Sequence, residues 1–155
     1  MWYFRPLLIL GGITAVFLAV VIFAIQMFQN GHIGLTVDLE YQPKALTIKG
    51  SVNLPNRSII AYEVAPTDEA LFKEEGVYAS GIILVKNGEY YTTIDTSLIP
   101  PGEVTVWARF IITLSQPPGI QARYGLHGEE LRGSDLKKDS KDQWIEVSKS
   151  INIDS

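Results

Sequence analysis

No cysteine occurs among the 155 residues. That absence excludes disulfides, thiolate catalysis and cysteine-ligated zinc or iron–sulfur sites. Basic charge is sparse as well: 13 Lys and Arg stand against 17 Asp and Glu, a net charge of −4 with no basic block. A phosphate-reading surface needs clustered cations, so nucleic acid is not an expected partner. Histidine is limited to His32 and His127. The chain has no H-E-x-x-H spacing, G-x-S-x-G elbow, P-loop or dinucleotide fingerprint, and Asp135, Asp139 and Asp142 do not follow EF-hand spacing. No catalytic residue, metal or cofactor is expected, and the chain reads as non-enzymatic.

What is abundant lies near the start. Residues 7–28 read LLILGGITAVFLAVVIFAIQMF, 22 residues without a charge. As a helix this run is about 33 Å long, enough to cross a hydrocarbon core of ~30 Å. A secretory signal carries an apolar stretch of only about 7–15 residues and ends in a small-residue cleavage pattern. The segment FAIQMFQNGH has no such pattern. The expectation is an uncleaved transmembrane helix at 7–28, in a single-pass protein of the cell membrane with lipid around the helix. A short cytoplasmic N-terminus would occupy 1–6. Arg5 precedes the run, and Asp38 and Glu40 follow it. The positive-inside rule then puts the N-terminus inside and the C-terminal part outside. Gly11, Ala15 and Ala19 recur at every fourth position, so one helix face is small enough for a second helix, or its own copy, to pack closely.

After a linker at 29–33, residues 34–155 form about one ordinary domain. Its apolar residues alternate with polar ones, the period of strands. Leu35, Val37, Leu39 and Tyr41 make a first set, and Leu46, Ile48, Gly50, Val52 and Leu54 a second. Ile60, Tyr62 and Val64 make a third, with Ile59 and Ala61 behind them. Asp68 is placed to cap a short helical turn over 69–75. Strand signals resume over 77–85, and Asn87-Gly88 is a strong hairpin signal because both residues accept positive φ. The return strand is 88–95. The longest strand covers 103–114, with Val104, Val106, Ala108, Phe110, Ile112 and Leu114 on one face. Strand 143–153 closes the chain, with Lys149 interrupting its apolar face. Seven strands and little helix after the anchor predict an all-β fold, a seven-stranded β-sandwich.

Three segments carry a likeness: Ile48-Lys49-Gly50-Ser51-Val52, then Asn87-Gly88-Glu89-Tyr90, then Leu98 followed by Pro101-Gly102-Glu103-Val104-Thr105-Val106. Together they resemble bacterial surface sandwiches of the transthyretin-like or Ig-like kind, over roughly residues 46–110. The chain departs from such modules in having Val104 where tyrosine is common, and in a long insertion before its last strand. The resemblance implies a binding or structural module.

That insertion is loop 115–142. Connections in compact domains usually run about 4–6 residues, and longer ones carry function or remain disordered. Residues 117–133 are expected to pack as an ordered loop, and 134–142, SDLKKDSKD, to form a mobile tip. Loops on rigid sandwiches carry recognition. Tyr124, Gly125, His127, Gly128, Glu129 and Glu130 are therefore the candidate partner-contact residues. The leading reading is an accessory or assembly subunit of a membrane or cell-surface complex, with a protein partner or a second copy. A tethered extracellular ligand-binding or inhibitor module and a pilin-like filament subunit are the alternatives.

Overall fold

The computed structural model describes residues 32–112 and 115–154. The expected anchor at 7–28, with Gly11, Ala15 and Ala19, lies outside the described residues. Among those described, no helix is long and apolar enough to cross a membrane. The chain divides into two units, Met1–His32 and Ile33–Ser155. The described strands and helices lie in the second unit.

Alternating apolar side chains produce two antiparallel sheets with their buried faces toward a shared core. One sheet holds β1 (Asp38–Gln42), β2 (Ala45–Ser51) and β5 (Glu89–Asp95), in the order β1-β2-β5. The other holds β3 (Ile59–Pro66), β4 (Ala79–Leu84), β6 (Gly102–Ile111), β7 (Leu136–Lys138) and β8 (Gln143–Ile153), in the order β4-β3-β6-β8-β7. The architecture is sandwich-like, as the sequence predicts, but the described residues form eight strands, not seven. The extra strand is β7, inside the segment expected to be a mobile tip. Its partner is β8, and the Asp139 carboxylate closes the turn between them by accepting the amides of Lys141 and Asp142, both at 2.7 Å.

The anticipated helical turn is α1 (Glu69–Glu75), capped by Asp68, whose Oδ1 accepts from the amides of Ala70 and Leu71 at 2.9 and 3.0 Å. A second helix, α2 (Pro118–Tyr124), was not expected from the sequence. The Asn87-Gly88 turn forms as expected, with φ of 55° and 78°. However, the strands it joins do not form a hairpin. After the single bridge Lys86↔Glu89 they part, β4 into one sheet and β5 into the other. The turn is therefore a corner between the sheets.

Inside the sandwich, β6 is the central strand of its sheet, and Val104, Val106, Ala108, Phe110 and Ile112 are all buried. Leu46 and Ile48 of β2 and Ile60 and Val64 of β3 complete the middle of the core. Lys149 occupies an inward position of β8, opposite Val106 in the ladder. It pairs with Asp38 of β1, in the other sheet. The Lys149 hydrogen bond is the main reason that the Asp38 carboxyl is held below its ordinary pKa. What the sequence shows as a break in the apolar face is thus an ion pair across the rim of the two sheets. Tyr90 is buried and Tyr91 is 69% exposed, as their adjacency in one strand requires. Tyr90 lies opposite Gly50, and its hydroxyl donates to the carbonyl of Thr36. A Cβ at position 50 would come within 2.7 Å of that ring, so the glycine makes the room the tyrosine fills.

Phe110 is fully buried on the central strand. Phe110→Ala is expected to lower the unfolding free energy by about 3–5 kcal/mol, read from the urea midpoint by tryptophan fluorescence.

Candidate functional site

Loop 115–142 is built from the strand ends inward. Gln116, buried, holds its base: its Oε1 accepts from the amide of Ile59 at 2.9 Å, and its Nε2 donates to the carbonyls of Ile59 and Ile111 at 2.8 and 3.0 Å. One side chain thus stitches β3 to the end of β6. The chain then turns into α2. Pro118 begins it with φ already suited to a helix, and Gly125 ends it at φ 82°. Ile120 and Tyr124, four apart, face the core. The Tyr124 ring meets Phe110 edge to face at a centroid distance of 5.7 Å, and the Arg123 guanidinium lies over the Tyr124 ring at 5.3 Å. Leu131 is fully buried beyond the bend. The amide of Ile33 donates to the carbonyl of Arg132 at 2.7 Å, so the domain begins on this same loop.

The six candidate contact residues therefore divide. Tyr124 and Gly128 are buried and belong to the base of the loop. Gly128 has φ 75°, and a Cβ there would lie 2.4 Å from the carbonyl oxygen of Gln143. Gly125 is half-buried against the carboxylate of Glu129. His127, Glu129 and Glu130 are exposed, together with Leu126 at 65%. Leu126 is a surface-exposed apolar side chain that no pattern in the sequence marks out.

The exposed part is an ordered bend. Glu129 Oε2 accepts from the amide of His127 at 2.8 Å. Hydrogen bonds from its own amide and from that of His127 hold its carboxyl below the ordinary glutamate pKa. The His127 ring Nδ1 lies 2.9 Å from Asp142 Oδ1, and the carbonyl of His127 accepts from the amide of Gln143 at 2.8 Å. The bend is thus moored to the β7–β8 hairpin.

Asp142 also lines a depression of about 340 Å³ on the outer face of the five-stranded sheet, with Arg109, Ile111, Asp139, Trp144 and Glu146. Arg109 lies between two carboxylates, donating to Glu63 at 2.6 Å and to Glu146. The Trp144 indole N–H donates to Glu146 at 3.2 Å. Nothing in the alternation of β6 marks this network, because its two carboxylates come from the neighbouring strands β3 and β8. One guanidinium bridging carboxylates from two neighbouring strands has the chemistry of a sheet brace, with one negative charge in excess. A larger depression, about 670 Å³, lies at the opposite strand ends, lined by turn residues including Pro43, Lys44, Ser97 and Pro101. Among the described residues, no group of three or more His, Asp or Glu is arranged to hold a metal ion. The arrangement around loop 115–142 is suited to contact: a fixed base carrying an apolar side chain between polar neighbours.

No protein-family model matches the chain, and the search of curated proteins finds no match.

Gly128→Ala combines positive φ with a backbone clash, and is expected to destabilise the domain by about 1–3 kcal/mol, measured by denaturant unfolding. Acidification should loosen the bend first. A carboxyl whose pKa is lowered by folding contributes fully above its unfolded pKa, and that contribution is lost as pH falls through the folded value. The protection of the His127 amide against hydrogen exchange, taken relative to its intrinsic rate at each pH, should therefore fall as pH drops below the ordinary glutamate range, and Glu129→Gln should remove that dependence.

Proposed function

We propose that the chain is a non-enzymatic, single-pass membrane protein, N-terminus inside, whose outer β-sandwich serves as an accessory or assembly subunit of a membrane or cell-surface complex. The observation that carries this reading is the division of loop 115–142 into a buried base and an exposed bend. Ile120, Tyr124 and Leu131 fix the base, while Leu126, His127, Glu129 and Glu130 are presented to solvent. Such a bend holds its side chains in place before a partner arrives, which lowers the ordering cost of binding. It lies at the end of the domain where the chain enters, through the hydrogen bond of Ile33 to Arg132. The anchor reading rests on the 22 uncharged residues at 7–28.

The sandwich is assigned to the Ig-like or transthyretin-like kind. Support comes from two of the residues that suggested the likeness, since Gly50 and Tyr90 are opposite each other in the β2–β5 ladder. Leu98, from the same set, is 95% exposed and contributes nothing to the core, where Ile99 packs instead.

The test is cross-linking in native membranes, mild-detergent purification of the full chain, and mass spectrometry of the bound proteins. A stoichiometric partner is expected. Leu126→Asp combined with His127→Ala should reduce its recovery at least tenfold without changing the thermal midpoint. Changing Gly11, Ala15 and Ala19 to leucine should reduce it as well. A soluble target that binds residues 33–155 alone, equally well with or without the anchor, would instead favour the tethered binding module.

A further inference from the structure

Edge strands expose a row of unpaired backbone groups, and proteins blunt them with charge, proline or brevity. Among the described residues, three of the four sheet edges follow that rule. β1 carries Asp38 and Glu40, β5 carries Glu89 and Asp95, and β7 has three residues, two of them Lys137 and Lys138. The fourth edge does not. β4 reads ASGIIL, six residues with no charge and no proline. Ile82 and Leu84 project from it at 64% and 56% exposure.

The polar backbone of β4 points the same way. The Val85 amide donates to the Ser58 carbonyl at 2.8 Å, extending the β3–β4 register by one residue. Hydrogen-bonded pairs alternate along an antiparallel ladder. Gly81 and Ile83 therefore bond toward β3, while Ser80, Ile82 and Leu84 direct N–H and C=O to the open edge. The region leading into β4 is apolar at its surface too. Of the eight exposed large hydrophobic side chains among the described residues, five (Leu71, Phe72, Val77, Ile82 and Leu84) fall between α1 and the end of β4. None of the residues of α1 is buried.

We infer that β4 is a homodimer edge, pairing antiparallel with β4 of a second copy about a two-fold axis through Ile82. The register is self-consistent. Ile82 meets the partner's Ile82, and Ser80 meets the partner's Leu84, so every backbone group that faces the edge finds its complement. One step further, Lys86 comes alongside the partner's Tyr78. Within one chain the Tyr78 hydroxyl donates to Glu75 at 2.6 Å, so each Lys86 approaches a carboxylate of the other copy. Two-fold symmetry makes that complementarity twice. An uncharged strand also brings no like charges together, whereas β1, β5 and β7 would each meet their own copy with charge of one sign. The result joins two five-stranded sheets into one of ten, a β-augmentation in which main-chain bonds supply affinity and Ile82 and Leu84 supply packing. The inference concerns a surface apart from the exposed bend at 126–130, although Leu84 lines a depression with Gln116 and Pro117 at the base of the loop, and it does not rest on the partner reading above.

The absence of cysteine makes the test clean. Hydrogen-bonded antiparallel residues lie about 5.5 Å apart at Cα, inside the range a disulfide spans. In the full-length chain in mild detergent, Ile82→Cys should form a covalent dimer under copper-phenanthroline and oxygen at least tenfold faster than Tyr91→Cys, an equally exposed position on the other sheet. Sedimentation should show a dimer that Ile82→Lys converts to monomer, with Ser80→Lys as a second, milder disruption and the circular dichroism unchanged. Leu126→Asp should leave the dimer intact. Equal cross-linking at positions 82 and 91, a monomeric unmodified chain, or a dimer that survives both lysine variants would overturn the inference. So would a dimer lost only when Gly11, Ala15 and Ala19 become leucine.

Discussion

The domain depends on the burial of one strand. β6 pairs with β3 over six residues on one side and with β8 over ten on the other. Its inward face, from Val104 to Ile112, is closed to water. Removing this strand from the sheet would leave β8 and β7 with no connection to β3 and β4. Burial at roughly 25 cal/mol per Å² of apolar surface is the main favourable term in folding, and here it is concentrated on a strand that touches almost every other part. Loop 115–142 leaves from its end and returns to it through the contact of Tyr124 with Phe110. The base of the candidate contact surface is therefore part of the core.

Without disulfides, the two sheets are held face to face by side chains that cross between them. Tyr41 reaches from β1 to the carbonyl of Asp154, and Lys149 from β8 to Asp38. Each tie lies toward the rim, where apolar packing thins and a polar group keeps some contact with water. The Asp38–Lys149 pair is about half exposed on both sides, so its own contribution to stability is small. Its role is geometric. It fills an inward position where another aliphatic side chain would leave apolar surface open at the rim.

Alternation made the sheets legible. Positions 104 to 112 and the Tyr90–Tyr91 pair behave as period two requires, because one face of each strand is buried and the register is then fixed. The places where the sequence misled are those where long-range pairing overrides a local signal. Asn87-Gly88 has ideal hairpin chemistry, yet its strands diverge because Ile83 and Tyr90 are drawn into opposite sheets. SDLKKDSKD lacks apolar periodicity, yet Leu136–Lys138 is ordered because β8 offers it an edge. α2 was readable in principle. Pro118 at its start, Gly125 after its end, and Ile120 and Tyr124 four apart form a helix signature, but the Pro-Pro-Gly that opens it has the composition of a loop. The site was half legible: its exposed polar residues stand out in the sequence, while Leu126, Gln116 and the Arg109 network do not, since each depends on which strand ends meet.

The exposed surfaces share one property: they are decoupled from what holds the domain together. Leu126, His127 and Glu130 project from a bend whose backbone is secured by Leu131 and by the Gln143 amide. Their side chains can change without opening the core. Ile82 and Leu84 stand on the solvent side of β4, while Ile83 between them is buried. A strand needs alternation to fold but does not need both faces apolar. Threonine or lysine on the outer face would have satisfied the fold and protected the edge, as charge does on β1 and β7. An apolar, uncharged outer face on the one unprotected edge is more than stability requires. In a protein whose other edges are each guarded, that excess is the mark of a surface meant to be covered.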